Sequence, residues 1–84
     1  MTEHELKIWP KQYDAIADGR KTFELRKDDR GFAVGDVLYL RDYYPDIAKY
    51  SGRWIRVVVT YILKDFQGLQ EGYVVMGIKI LKEG

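Results

Sequence analysis

The sequence predicts a mainly β protein with one short helix, ordered β-α-β-β-β-β and curled into a partly closed five-stranded barrel. Three observations carry this expectation. Apolar residues alternate with period two in five separate segments. A single segment, just after Pro10, has helical spacing instead. Five strands in a chain of 84 residues hide their edges best by closing on themselves. The chain is too short for two hydrophobic cores and shows no internal repeat or linker, so residues 1–84 read as a single domain.

The elements follow in order. His4–Trp9 alternates polar and apolar, and is expected to form a short half-buried strand. Pro10 suits the first turn of a helix, where its missing N–H is not needed. Tyr13, Ile16 and Ala17 then fall at helical spacing, and Gly19 sits where a left-handed C-terminal cap belongs, giving a helix over Pro10–Asp18. Thr22–Arg26 alternates again, with Phe23 and Leu25 on the face expected to enter the core. Lys27–Gly35 is a charged loop with turn residues at Asp28, Asp29 and Gly31. Val37–Tyr43 is the third strand, and Tyr44–Gly52, with Pro45, Asp46 and Gly52, reads as a long loop. Arg53–Leu63 is the strongest strand, with Ile55, Val57, Val59, Tyr61 and Leu63 on one face. A glycine-bearing turn over Gln67–Gly72 leads to Tyr73–Leu81, whose inward residues are expected to be Val74, Met76, Ile78 and Ile80. Gly77 in that strand permits a bend or a close backbone approach.

Composition excludes several function classes. Without cysteine there is no disulfide, thiolate nucleophile or Cys-ligated metal site. The lone histidine, His4, leaves no His-rich metal site and is expected to be solvated on the polar face of the first strand. Asp28, Asp29 and Asp36 suit turns and caps better than a hard cation, and neither a metal nor a cofactor is expected. No apolar run approaches the roughly 20 residues of a membrane span. The first eleven residues carry charges where a signal peptide needs an apolar stretch. A cytoplasmic protein without membrane contact is the expectation. Net charge is +1, so any polyanion site must be a local patch.

The most unusual stretch supplies such a patch. Arg20–Arg30 holds Arg20, Lys21, Arg26, Lys27 and Arg30 with Glu24, Asp28 and Asp29. On a strand, Glu24 and Arg26 share a face, and Lys21 at the helix-to-strand junction is free to join them. A carboxylate between two cations fixes their positions. Arginine then offers a bidentate fork, and lysine a point charge, to phosphate or a base edge. The plainer account is an ion-pair ladder on an edge strand, worth little in stability, and spacing alone favours it. Trp9, Tyr39, Tyr43, Tyr44, Tyr50, Trp54 and Tyr73, interleaved with Arg41, Arg53 and Arg56, suit stacking of unpaired bases as a set. Each one singly suits a cross-strand pair. Catalytic means are few: Lys21 beside Glu24 would serve as an acid–base pair if desolvated, and no Walker loop or dinucleotide fingerprint is present.

Gly19-x-Lys21-x-x-Glu24-x-Arg26 resembles the signature of ASCH domains, which belong to the PUA-like superfold. Val34-Gly35-Asp36-Val37-Leu38 resembles their second hallmark. Leu6–Pro10 and Gln67–Val75 look like a compact bacterial and phage subfamily of unknown function. The resemblance implies a five-stranded PUA-like pseudobarrel with a cleft between barrel and helix. It further implies that the cleft takes RNA or a nucleotide-like ligand, with Lys21, Glu24 and Arg26 lining it; Trp9, Arg20 and Tyr73 complete the expected ligand set. This raises the functional reading of the charged trio above the ladder. One small ASCH-like amidohydrolase, which deacetylates N4-acetylcytidine, is thought to use a Lys, a Thr three residues later and a distant Glu. Lys21 matches the first, but Glu24 replaces the Thr, Thr22 comes two residues too early, and Glu71 lies in the region of the third. Non-catalytic binding is therefore preferred, with the amidohydrolase as the alternative. A protein-interaction module using the Tyr43–Trp54 loop is a third reading. The sequence leaves the oligomeric state open.

Overall fold

The computed structural model describes all residues, Met1–Gly84. Its elements are β1 (Glu3–Ile8), α1 (Pro10–Ala17), β2 (Phe23–Lys27), β3 (Val37–Tyr44), β4 (Lys49–Leu63) and β5 (Tyr73–Glu83). The strands form one mixed sheet in the order β1-β3-β4-β5-β2. Only β1 and β3 pair in parallel; the other neighbours are antiparallel. The sheet curls into a half-barrel. Its two free edges, β1 and β2, are brought close enough for Arg26 and Arg30 to reach backbone carbonyls of β1. No helix is long and apolar enough to cross a membrane.

The core follows from alternation. Leu6 and Ile8 of β1, Leu38 and Leu40 of β3, Ile55, Val57 and Val59 of β4, and Val74, Met76 and Ile78 of β5 all point inward and are buried. Helix α1 packs against β3 and closes one end with Tyr13 and Ile16. The Tyr13 hydroxyl donates to the Trp54 carbonyl at 3.1 Å, tying the helix to β4. Burial pushes the Tyr13 phenol above its ordinary range, outweighing the nearby Arg53 cation. Pro10 opens the helix as expected, and Gly19, at φ +86°, ends it in the left-handed region. That turn lets the amides of Gly19 and Lys21 bond the carbonyls of Ile16 and Ala15.

Five expectations need correction. First, β2 presents the opposite face: Phe23 and Leu25 are 46% and 53% exposed, while Glu24 is 3% exposed. The register with β5 dictates this. Glu24 lies opposite Met76 and Arg26 opposite Val74, and cross-strand partners share a face. Phe23 and Leu25 therefore join Tyr61, Leu63 and Val75 on the outside of the sheet. Second, His4 is buried, because it has the same strand parity as Leu6 and Ile8. Its Nε2 lies 2.9 Å from Asp36 Oδ2, and its ring meets Phe32 edge-on.

Third, the inward face of β4 changes parity. Thr60 is skipped in the pairing with β5, so Tyr61 turns outward and Ile62 packs on the core. Gly77 lies beside this bulge, where a Cβ would stand 3.0 Å from Thr60 Oγ1, a tight contact. Fourth, the loop between β3 and β4 is only the turn over residues 45–48, because Tyr44 pairs with Lys49 and Tyr43 with Tyr50. Beside it, fully buried Asp42 accepts from Ser51 at 2.7 Å and twice from Arg53, all on Oδ2, and its Oδ1 has no partner. Fifth, Ile80 is more than a third exposed, beyond the part of β5 that the core covers.

Leu40 is completely enclosed, so Leu40→Ala is expected to cost about 2–5 kcal/mol in urea unfolding. The Asp36 carboxyl sits below its ordinary value of 3.8, chiefly through the His4 hydrogen bond, against the opposing effect of burial. A carboxylate lowered in this way stabilises the fold above that value and loses its contribution as pH falls through the lowered one. The Tm advantage of the wild type over Asp36→Asn is thus expected to hold at pH 7 and shrink below pH 3.8.

Candidate functional site

The seam between the two sheet edges opens into a cleft of about 400 Å³ where β1, α1 and β2 meet. The end of β1 contributes Lys7 and Ile8, and Trp9 and Gln12 come from the start of the helix. Lys21, Glu24, Leu25 and Arg26 complete the wall. Such a volume lies within the range of small-ligand sites.

Glu24 is the centre of this arrangement. Its Oε1 accepts from Lys21 Nζ at 3.1 Å and its Oε2 from Arg26 Nε at 2.8 Å. Lys21 Nζ also donates to Gln12 Oε1 at 2.9 Å, and Arg26 Nη2 donates to the Lys7 carbonyl at 2.8 Å. Two of the three ammonium protons are used in this way, as are two of the five guanidinium protons. The remaining donors, the spare lone pairs of Glu24 and the amide of Gln12 are available to a ligand edge. Trp9 adds an aromatic surface that is 61% exposed at the rim, because it precedes the helix in extended conformation and has no core position to fill. Lys7, Lys21 and Arg26 face one carboxylate here, so the cleft is locally cationic although the chain is nearly neutral.

The structure therefore brings together Lys21, Glu24, Arg26 and Trp9 from the expected ligand set. Arg20 and Tyr73 do not line the cleft: Arg20 pairs with Asp18 in solvent at 2.8 Å, and Tyr73 lies opposite Lys27. Thr22 and Glu71 are exposed and also outside it. Lys7 and Gln12 were not anticipated. Gln12 carries no chemical signal of its own in the sequence, and Lys7 matters only once β1 is known to be a sheet edge. Four of the other aromatics, Tyr39, Tyr43, Tyr50 and Trp54, are already engaged with neighbouring side chains. Arg41 lies 3.8 Å over Tyr50, Arg53 4.3 Å over Tyr13, and Arg56 4.2 Å over Tyr39 and 4.9 Å over Trp54. Tyr43–Tyr50 and Tyr39–Trp54 are edge-on cross-strand pairs. Asp28 and Asp36 are committed to the amides of Phe32, Ala33 and Thr2, and no three His, Cys, Asp or Glu side chains converge.

This geometry can be set beside known proteins. Residues 3–78 match the family model described as a domain of unknown function, DUF3850. The chain belongs to this family. The DUF3850 match runs from β1 into β5 and so takes in every wall of the cleft. An uncharacterised 12.9 kDa protein from the GpA 3′ region of Escherichia phage P2 is 32% identical over 73 residues. That alignment covers 87% of this chain and 64% of the phage protein, so the chain spans less than two thirds of that relative.

Removing the central carboxylate leaves two cations facing each other at the seam. Glu24→Ala is expected to destabilise by about 1–3 kcal/mol, read from the urea midpoint. Glu24→Gln, which keeps the shape and one acceptor, is expected to cost less than Glu24→Ala. Lys21→Ala is expected to recover part of the loss in the Glu24→Ala background, because it removes the unpaired ammonium.

Proposed function

We propose that the chain is a binding module of the ASCH and PUA-like type, recognising RNA or a nucleotide-like ligand in the Lys21–Glu24–Arg26 cleft. One observation carries this reading. A buried carboxylate holds an ammonium and a guanidinium at fixed positions in a nucleotide-sized hollow, with an exposed indole at its rim. The indole supplies a stacking surface, and the Glu24 lone pairs accept from a base amine. Lys21 and Arg26 donate to a carbonyl of the base or to phosphate. A near-neutral chain releases few counterions on long duplex, so a confined ligand or short single strand suits it better. A cytoplasmic setting, consistent with the absence of cysteine, forms part of the same reading.

The alternative, an amidohydrolase acting on a modified nucleoside, draws on the 3.1 Å separation of Lys21 Nζ and Glu24 Oε1, which is within proton-transfer reach. No hydroxyl side chain lines the cleft as a nucleophile.

Titration of labelled protein with the common nucleosides and short oligonucleotides is expected to shift the resonances of Trp9, Lys21, Glu24 and Arg26. Lys21→Ala and Arg26→Ala are expected to weaken that binding at least about tenfold while the folded spectrum is retained. A full panel that leaves these resonances unmoved would refute the binding reading. Release of cytidine from N4-acetylcytidine, absent in Lys21→Ala, would instead establish the hydrolase.

A further inference from the structure

The seam does not end at the cleft. A second hollow of about 370 Å³, lined by Glu5, Leu6, Lys7, Arg26, Arg30 and Tyr50, shares Lys7 and Arg26 with the first. The two make one trough along the gap between β1 and β2. Its second half has a different chemistry. Lys7, Arg26 and Arg30 face the lone carboxylate of Glu5, which Arg41 already holds at 3.0 Å. The Tyr50 ring is stacked by Arg41 and met edge-on by Tyr43, so no free aromatic platform is offered there.

The two arginines are pinned in an ordered way. Arg26 Nη2 donates to the carbonyl of Lys7 at 2.8 Å, and Arg30 Nη1 to that of Glu5 at 2.9 Å. These carbonyls belong to alternate residues of one strand edge, so their spacing along β1 is about 7 Å. Each guanidinium keeps unused N–H groups, and the Arg30 Nε contact to Asp29 is a long 4.0 Å. A fork held by the backbone can receive an anion without first being ordered. The result is a short rail of two guanidinium groups, whose backbone anchors are spaced on the scale of successive phosphates in an extended strand, starting at the edge of the base-sized cleft.

We infer that the second hollow is a phosphodiester subsite, so that the ligand is an extended single strand of at least two nucleotides rather than a free nucleoside. One base occupies the Trp9–Glu24 cleft, and the adjoining backbone phosphate lies on the Arg26–Arg30 rail. This inference rests on the nucleobase reading of the first cleft and adds Arg30, which that reading does not use.

The test has three arms on labelled protein: ribonucleosides, inorganic pyrophosphate, and ribo- and deoxyribo-tetranucleotides. Tetranucleotides are expected to bind more tightly than the matching nucleoside and to shift the Nε–H resonances of both Arg26 and Arg30. Arg30→Ala is expected to weaken tetranucleotide binding about three- to tenfold and to reduce its salt slope by about 0.7, with nucleoside binding unchanged. Arg30→Lys is expected to restore the slope but only part of the affinity. Lys79→Ala, an equal change in net charge on the far side of the sheet, is expected to do neither. Nucleosides binding in the cleft while tetranucleotides bind no better, or Arg30→Ala behaving like Lys79→Ala, would overturn the subsite and leave the base reading standing. Pyrophosphate shifting the two arginines without any nucleoside response would overturn the single-strand inference together with the base reading, leaving a bare anion site. Silence in every arm would overturn both.

Discussion

The register of β2 against β5 is the constraint on which the molecule depends. Val74, Met76 and Ile78 must face inward, because they complete the core laid down by β3 and β4. Pairing Phe23 with Gly77 and Glu24 with Met76 then leaves no choice for β2: its polar residues turn toward the barrel and its apolar ones turn out. Burying a lone carboxylate there would be costly. Lys21 and Arg26 remove that cost by each bonding one oxygen of Glu24. The charged constellation is thus a structural requirement of the edge strand as well as the wall of a cleft. The two roles do not compete, since both cations retain donors beyond those Glu24 uses.

The half-barrel handles its open edges by an uncommon means. Unpaired strand edges invite association, and many small sheets blunt them with charge or cover them. Here the gap between β1 and β2 is bridged by side chains rather than by a sixth strand, with Arg26 and Arg30 reaching across to β1 carbonyls. Guanidinium bonds satisfy those acceptors while keeping the edges apart. Direct pairing of β1 with β2 would have removed the trough altogether. The fold closes enough to protect its core and stays open along one line, which is where the cationic side chains gather.

Much of this was legible from alternation. The order of elements, the Pro10 helix start, the Gly19 cap and the inward residues of the first parts of β4 and β5 follow from period and turn chemistry at single positions. What failed was facing. In β2, Phe23 and Leu25 outrank Glu24 in hydrophobicity, so a local rule sends them inward, and only pairing with β5 reverses it. His4 fails for the opposite reason: its polarity points to solvent while its parity with Leu6 and Ile8 points to the core, and its partner Asp36 is distant in sequence. The Thr60 bulge is a feature of the pairing between β4 and β5, beside Gly77, that no single segment encodes. Lys21, Glu24 and Arg26 were recognisable as a motif because they are close in sequence. Lys7, Gln12 and Arg30 become site residues only when two remote edges are brought face to face.

The pairing of β1 with β3, parallel, and of β2 with β5, antiparallel, has a consequence for how the chain matures as it is synthesised. Neither edge strand has its sheet neighbour next to it in sequence, so each must wait for a later segment. Such non-local closures are the slow steps of folding. Glu24 and its two cations leave the ribosome early, yet their inner floor, Met76, arrives with the last strand. The central hairpin can form first, and the trough is then the final part of the molecule to exist. An incomplete chain would carry every residue of the motif and have nowhere to hold a ligand.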